Sequence, residues 1–472
     1  MQLLRRLFAS IAGRTKAPPA LPAETALRAF GLLRQGDTEG AAAVLAPLRA
    51  AASPHIDVLF VSALIHKAKG ERAAAVNLLR QCVALRETFG AAWGELGTVL
   101  AASGDVEGAL TALERAASLE PASAAIQQNL GYMRYRVRDV SGGIEALTTA
   151  LELDPQLGDA QFNLAEALLA AGDFERGWAQ YESRAHLPAA MQRVALPRWR
   201  FEPGARIAVV AEQGFGDVIL FARLLPRLRS LAASVSVFSY PRLVPLFEQA
   251  RLADEVRILA DIGQATREHY DSYVPFMSLA HVTALRPEDI DPAPYLGARS
   301  VDLETWRKRV GPPDGSPQRS LRVGLVWAGN PAHDLDFDRS IPLASLAPIF
   351  GVEGISIYSL QVGAGASAHP GLPMIDLTAH LTDVGQTAAL LKQLDLVIAV
   401  DTLIAHLAGA LGVPLWLLCP LRADWRWEID GAPSPWYRSV RIFRPKITAQ
   451  WSPVIAELTE ALRAQVAQTR AQ

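Results

Sequence analysis

The feature that most constrains this chain is a period. Gly36-Asp37, Gly70-Glu71, Gly104-Asp105, Arg138-Asp139 and Gly172-Asp173 recur every 34 residues. Ala41, Ala75, Ala109, Gly143 and Gly177 keep the same spacing, as do Pro121 and Pro155. A repeat of that length accommodates one pair of antiparallel helices. Small residues let the paired helices approach closely, the glycine-acidic dipeptide turns the chain between them, and the proline ends the second helix. Each pair leaves an apolar face that only its neighbour covers, so the pairs stack into a curved solenoid.

In the best-formed unit, Trp93, Leu96, Gly97, Ala109, Leu113, Ala116 and Pro121 fall where a tetratricopeptide repeat (TPR) places its signature residues. The region resembles a TPR array. Four to five repeats fit within residues 22–187, the first and last as degenerate caps. A solenoid of this kind usually holds a peptide or protein on its concave face; a dimerisation or spacer role is the alternative. Ahead of the repeats, residues 1–21 are basic and partly apolar. Their apolar core is short and directly follows Arg5 and Arg6, a poor match to a secretory signal. A tail is expected there, with a membrane-surface helix as the other reading.

Beyond a linker over 188–204 the pattern changes. Short β-type runs at 206–211, 235–239, 255–259 and 270–276 alternate with helical segments. A Pro- and Gly-rich stretch at 311–318 reads as a second linker. A further alternating set follows at 322–328, 355–361, 374–378, 395–400, 413–419 and 440–443, closed by a helix over roughly 452–468. Strands alternating with helices imply parallel sheets, and two sets imply two doubly wound, Rossmann-like domains over 205–315 and 316–472. Ligands of such sheets sit beyond the carboxyl ends of the strands, so the residues after each strand carry the information.

After the first strand comes Glu212-Gln213-Gly214-Phe215-Gly216-Asp217. Gly214 and Gly216 allow a tight turn and close approach of a ligand to backbone N–H groups. Asp217 is placed to cap the next helix, a role aspartate favours in any protein. That helix would bury Val218, Phe221, Ala222 and Leu225, with Pro226 ending or kinking it. After the strand at 322–328, Gly329 and Asn330 suit a turn, and Arg339 and Ser340 stand near a helix start, where a phosphate can bind. Asp334, Asp336 and Asp338 alternate as metal ligands sometimes do. A calcium loop would want glycine at Arg339 and glutamate at Ser345, so a solvated acidic loop is expected instead.

After the strand at 395–400, Asp401 ends the strand, Thr402 opens a helix, and His406 lies on the same helical face as Thr402. These could hold a diphosphate, or be a capping pair with a core-satisfied histidine. Trp425, Trp427, Trp436 and Tyr437 crowd a loop-like stretch, where they could line a sugar or nucleotide pocket or fill the seam between domains.

Composition narrows the rest. Half of the 472 residues are hydrophobic and a fifth are charged, with 46 basic against 48 acidic residues. Neither that balance nor any basic-aromatic cluster suggests nucleic acid. Cys82 and Cys419 are the only cysteines, which offers neither a disulfide framework nor a zinc set and fits a reducing compartment. The greasy stretch 394–421 is interrupted by Asp401 and His406, so it reads as strand, helix, strand rather than a membrane span. A cytoplasmic protein, with membrane association at most peripheral, is expected.

The ordered set "EQGFGDVILFARLLP", "GLVWAGNPAH…DRSIPL", "DLVIAVDTLIAHLAGALGVPLWLL" and "DWRW…SPWY" resembles bacterial TPR-fused glycosyltransferases whose catalytic half is similar to the family 9 heptosyltransferases. In architecture it is also similar to the O-GlcNAc transferases. The resemblance implies a TPR solenoid followed by an α/β GT-B fold of two Rossmann-like domains. It also implies an active site in the cleft between them, a nucleotide-sugar donor, and no cofactor or required metal. By resemblance, Asp217 is the catalytic base. Asp401, Thr402 and His406 hold the nucleotide diphosphate, with Leu403 where the family has glycine, and Arg339 contacts phosphate. Gly214, Gly216 and Asn330 complete the expected donor site. The expected acceptor is a protein or peptide on the repeats, by resemblance a surface or flagellar protein; a lipid-linked or polysaccharide acceptor, or a non-enzymatic adaptor, are the alternatives.

Overall fold

A computed structural model of the chain describes residues 21–49, 55–184, 194–311, 320–332, 336–363, 371–421, 424–429, 432–446 and 450–471. The expected N-terminal tail, most of the 311–318 linker, and Asp334 lie outside them. The chain divides into two compact units, residues 1–160 and 161–472.

The first unit is built of helical hairpins. They are α1 (Leu21–Arg34) with α2 (Thr38–Arg49), α3 (Ile56–Ala68) with α4 (Arg72–Leu85), α5 (Gly90–Ala102) with α6 (Val106–Leu119), and α7 (Ala124–Arg136) with α8 (Val140–Leu153). A fifth pair, α9 (Gly158–Ala170) and α10 (Phe174–Tyr181), runs from its end into the second unit. The 34-residue period is therefore a period of hairpins.

Its chemistry is repeated too. Gly36, Gly70, Gly104 and Gly172 all take left-handed backbone angles, φ between +75° and +85°, at the turn inside each hairpin. Arg138 takes φ 73° at the equivalent place, where a side chain is strained. The acidic residue that follows caps the second helix: Asp37, Asp105, Asp139 and Asp173 accept the N–H of Gly40, Gly108, Gly142 and Arg176 at 2.8–3.1 Å. Glu71 makes no such cap and pairs with His66 instead. Helices cross closely where the repeat demands a small residue. A Cβ on Gly97 would lie 2.6 Å from Leu113, and one on Gly131 would lie 2.6 Å from Leu147. The core of this unit is aliphatic, drawn from Leu79, Leu96, Leu113 and Leu130 with Ala75, Ala92 and Ala109.

The second unit contains two parallel sheets. In the first, β1 (Arg206–Val210), β2 (Ser234–Ser239), β3 (Glu255–Ile258) and β4 (Ser272–Pro275) take the order β3-β2-β1-β4. In the second, β5 (Leu321–Val326), β6 (Ile355–Ser359), β7 (Met374–Asp376), β8 (Leu396–Val400), β9 (Leu415–Leu418) and β12 (Val440–Phe443) take the order β12-β9-β8-β5-β6-β7. A two-residue hairpin, β10 (Glu428–Ile429) with β11 (Ala432–Pro433), interrupts the chain before β12. The central strands are apolar along their whole length because helices cover both faces: every residue of β8, and Ile207 to Val210 of β1, is buried.

Helices α11 (Phe215–Ala222), α12 (Leu225–Arg229), α13 (Val244–Ala250), α14 (Ser300–Val310), α15 (Val384–Leu391), α16 (Leu403–Leu411) and α17 (Trp451–Ala471) alternate with the strands. Pro226 falls in the first turn of α12, so the expected break in that helix is real. The stretch 394–421 forms β8, α16 and β9. Among the described residues no helix is long and apolar enough to cross a membrane. Cys82 and Cys419 are free and buried.

Candidate functional site

The topology explains why three loops carry the candidate residues. In the first sheet β1 has β2 and β3 on one side and β4 on the other; in the second, β5 stands between β6-β7 and β8-β9-β12. Both sheets thus reverse their direction of growth, between β1 and β4 and between β5 and β8. In open parallel sheets the crevice beyond the strand ends at such a reversal is where ligands bind. The loops after β1, β5 and β8 hold Gly214, Gly216 and Asp217; Asn330 and Arg339; and Asp401 and Thr402, with His406 one helical turn into α16.

Glu212, Gln213, Gly214 and Asp217 of the loop after β1 are each held by specific contacts. Glu212 has no exposed surface, yet it is a carboxylate. It is bound by Arg184 through Nε, to Oε2 at 3.2 Å, and Nη2, to Oε1, and accepts the Met277 N–H at 3.1 Å. Gln213 sits at φ 58°, an unusual angle for a residue with a side chain. The Tyr240 hydroxyl donates to its carbonyl at 2.7 Å, and the Tyr181 hydroxyl donates to its side-chain oxygen at 3.3 Å. Asp217, in the first turn of α11, accepts the Gly214 N–H at Oδ2, 3.0 Å away. Glycine has no side chain to return the bond, so this is half of a capping box. The other oxygen, Oδ1, lies 2.7 Å from Arg426 Nη2. The N-cap expected at Asp217 falls on Gly214 instead: Asp217 is the third residue of the helix, bonds back to the Gly214 N–H, and its remaining oxygen holds a guanidinium.

Arg426 is the residue that sequence reasoning passed over. It lies 7% exposed between two carboxylates, with Nη1 2.6 Å from Asp424 Oδ2, and its guanidinium carbon stands 4.4 Å from the Trp425 ring centre. Burial disfavours its charge, but Asp424 and Asp217 more than offset that and hold it protonated. One signal was available: an arginine between two tryptophans and two positions after an aspartate, in "DWRW", needs a carboxylate if it folds inward.

The loop after β8 meets the loop after β1. A Cβ on Gly216 would lie 2.8 Å from the imidazole Cδ2 of His406. The His406 ring is buried, stacked on Trp427 at 4.8 Å between centres, and its Nδ1 shares a hydrogen bond of 3.1 Å with the Tyr437 hydroxyl. Nε2 lies 3.8 Å from Asp401 Oδ1. Burial, reinforced by the positive Arg426 and Arg223, holds the imidazole well below its ordinary titration range, so it is neutral at pH 7. Asp401 moves the other way. Burial and the neighbouring Asp424 carboxylate push it up to about 6, against the lowering influence of Trp427, Arg339 and Arg426. The Thr402 hydroxyl donates to the Val400 carbonyl at 3.2 Å rather than capping α16. Leu403 takes no left-handed backbone angle, so a glycine there would supply room and not conformational freedom.

The loop after β5 folds back on itself. Gly329 donates to Ser340 Oγ at 2.9 Å, and Asp336 accepts Ser340 Oγ at 2.8 Å and Arg339 Nε at 3.0 Å. Arg339 Nη1 then reaches the Asp401 carbonyl at 3.2 Å, joining the loops after β5 and β8. The acidic loop expected here to be solvated is not: Asp336 is tied to these partners and Asp338 is buried, because the chain turns back through a short helix, Asp336–Arg339. Asn330 is exposed and accepts the Ala332 N–H at 3.1 Å, closing a local turn. It is not among the residues the ion pairs bring together. Among the described residues no three His, Cys, Asp or Glu side chains converge as a metal set.

The aromatics fill the seam between the two sheets. Trp425, Trp427, Trp436 and Tyr437 are all buried. Trp178 of α10 packs edge-on to Trp425 at 5.2 Å and to Phe221 at 5.6 Å, and Phe174 stacks on Trp436 at 6.2 Å. The Arg223 guanidinium is ringed by Tyr295, Tyr437 and Trp436 at 4.8–5.3 Å. The last repeat helix is therefore part of the site's wall.

The fold and this cluster define a class: a helical-repeat chain carrying a parallel α/β unit with a polar cluster at the strand ends where its sheets reverse. No protein-family model matches the chain. It is similar to Protein FlbA of Caulobacter vibrioides, 30% identical over 341 residues, which is 64% of this chain and 54% of FlbA. The alignment thus spans about half the length of that relative. Among solved structures, it is similar to MamA of Desulfovibrio magneticus RS-1, with 22% identity, 35% of this chain and 93% of that one covered, and a TM-score of 0.30. It is also similar to PilF of Pseudomonas aeruginosa, with 18% identity, 37% and 80% covered, and a TM-score of 0.33.

Proposed function

We propose that this protein transfers a sugar from a nucleotide-sugar donor to an acceptor hydroxyl, with its two sheets acting as the paired Rossmann-like domains of a GT-B glycosyltransferase. The observation that carries the reading is the meeting of the loops after β1 and β8, Gly216 against His406, at the strand ends where the two sheets reverse. The order of the four motifs in the sequence supports it. Asp217 takes the proton of the acceptor hydroxyl as its oxygen attacks the anomeric carbon, while the bond from that carbon to the nucleotide phosphate breaks. Thr402, at the start of α16, and Arg339 face the leaving diphosphate. The acceptor is a protein held by the repeats, on the resemblance a surface or flagellar protein.

The test is turnover of UDP-, GDP-, ADP- and CMP-sugars by the full chain, alongside intact-mass comparison of surface and flagellar proteins with and without the gene. Asp217→Ala should lower transfer by about a hundredfold or more and lose the hydrogen bond from the Gly214 N–H, worth about 1 kcal/mol. A folded Asp217→Ala protein with full transfer activity would remove Asp217 as the base. A second reading, a non-enzymatic adaptor, is favoured by one observation: both Asp217 oxygens already hold donors. Capture of a protein by the chain, with no turnover of any of the four donor classes, would establish it.

A further inference from the structure

We propose that Arg426 is the positioning residue of this site, holding the Asp217 carboxylate in place for the acceptor hydroxyl. The inference rests on the reading of Asp217 as base. Asp217 sits in the first turn of α11, with one oxygen fixed by the Gly214 N–H. A carboxylate held at one oxygen still pivots, and Arg426 removes that freedom by binding Oδ1 at 2.7 Å. Arg426 is itself fixed. Its other branch is bound to Asp424 at 2.6 Å, its plane lies over Trp425, and Trp425 is clamped edge-on by Trp178 and Trp436. The guanidinium fork can bridge two carboxylates in this way because its donors are planar and diverge, which a lysine ammonium cannot reproduce. Misplacing a reacting group by about 1 Å can cost about a hundredfold in rate, so a residue that never touches substrate can govern turnover here.

The arrangement assigns different weights to the two carboxylates on Arg426. Asp424 is a second anchor, whereas Asp217 is the group being held. Steady-state transfer should be measured on the full chain with whichever donor of the UDP-, GDP-, ADP- and CMP-sugar panel it turns over. Thermal melts serve as the folding check. Arg426→Gln is expected to lower kcat by about ten- to hundredfold with donor KM changed less than about threefold, and Arg426→Lys to recover part of that loss. Asp424→Asn is expected to lower kcat by a smaller factor than Arg426→Gln, since it weakens the second anchor while Nη2 stays on Asp217.

Unchanged or raised kcat in Arg426→Gln would overturn the proposal, a rise meaning that Arg426 masks the base. Equal loss of kcat in Asp424→Asn and Arg426→Gln would overturn it too, because the pair would then matter only as buried charge balance. If Arg426→Gln does not fold, Arg426→Lys decides: lowered kcat at unchanged donor KM supports the assignment, and a lowered melting temperature with full kcat refutes it. Wild-type protein that turns over no donor refutes the underlying reading, and the proposal falls with it.

Discussion

Gly216 and His406 share a space that admits only one side chain: a Cβ on Gly216 would stand 2.8 Å from the imidazole Cδ2. The imidazole cannot retreat, because Trp427 stacks on it and Tyr437 holds its Nδ1. The glycine of the first loop is thus required by the histidine of the third.

Gly216→Ala tests that contact. Within a helix the change should gain up to about 1 kcal/mol, but forcing a methyl against a fixed ring costs about 1–3 kcal/mol. The overlap should win, giving a net loss of up to about 2 kcal/mol in denaturant unfolding together with reduced transfer. A stabilised variant would show that the ring yields.

A pH dependence follows from His406 and Asp401. His406 is held neutral when folded but binds a proton near 6.5 when unfolded, so its contribution falls as pH drops through 6.5. Asp401 is raised from 3.8 to about 6, so its contribution is full below 3.8 and is lost as pH rises through about 6. Between pH 4 and 6 the two slopes oppose each other. Asp401→Asn removes one of them, and the variant should lose stability more steeply with acid than wild type while being no less stable at pH 7.5. Urea midpoints from pH 4 to 8 measure the difference; parallel curves would mean Asp401 titrates as an ordinary carboxylate.

Arg184 and Glu212 make the third prediction. Arg184→Ala leaves Glu212 buried with only a backbone N–H, and should destabilise the protein by about 3–5 kcal/mol. Replacing both, Arg184→Met with Glu212→Leu, should recover most of that loss. Because Trp178, Tyr181 and Arg184 belong to the second unit and pack against its α/β residues, a chain starting at Gly158 should melt cooperatively. One starting at residue 188 should not. Equal melting of the two truncations, followed by circular dichroism, would show the last hairpin to be dispensable.

Local pattern was enough for the elements themselves. The period, the capped turns, the strands and the post-strand loops are all written within a few residues, because helix caps and strand runs depend on near neighbours. The sequence alone also determined which loops to look at, since strand order in an alternating chain leaves few choices. What only the tertiary structure decided is the state of the residues in them. Asp217 is engaged at both oxygens because Arg426, far away in the chain, folds beneath it. His406 is neutral because burial and the positive Arg426 and Arg223 disfavour its charge, and Asp401 is raised by burial and by the Asp424 carboxylate of another loop. Burial and charge pairing come from contacts between distant segments, and no short stretch of sequence records which segments will meet.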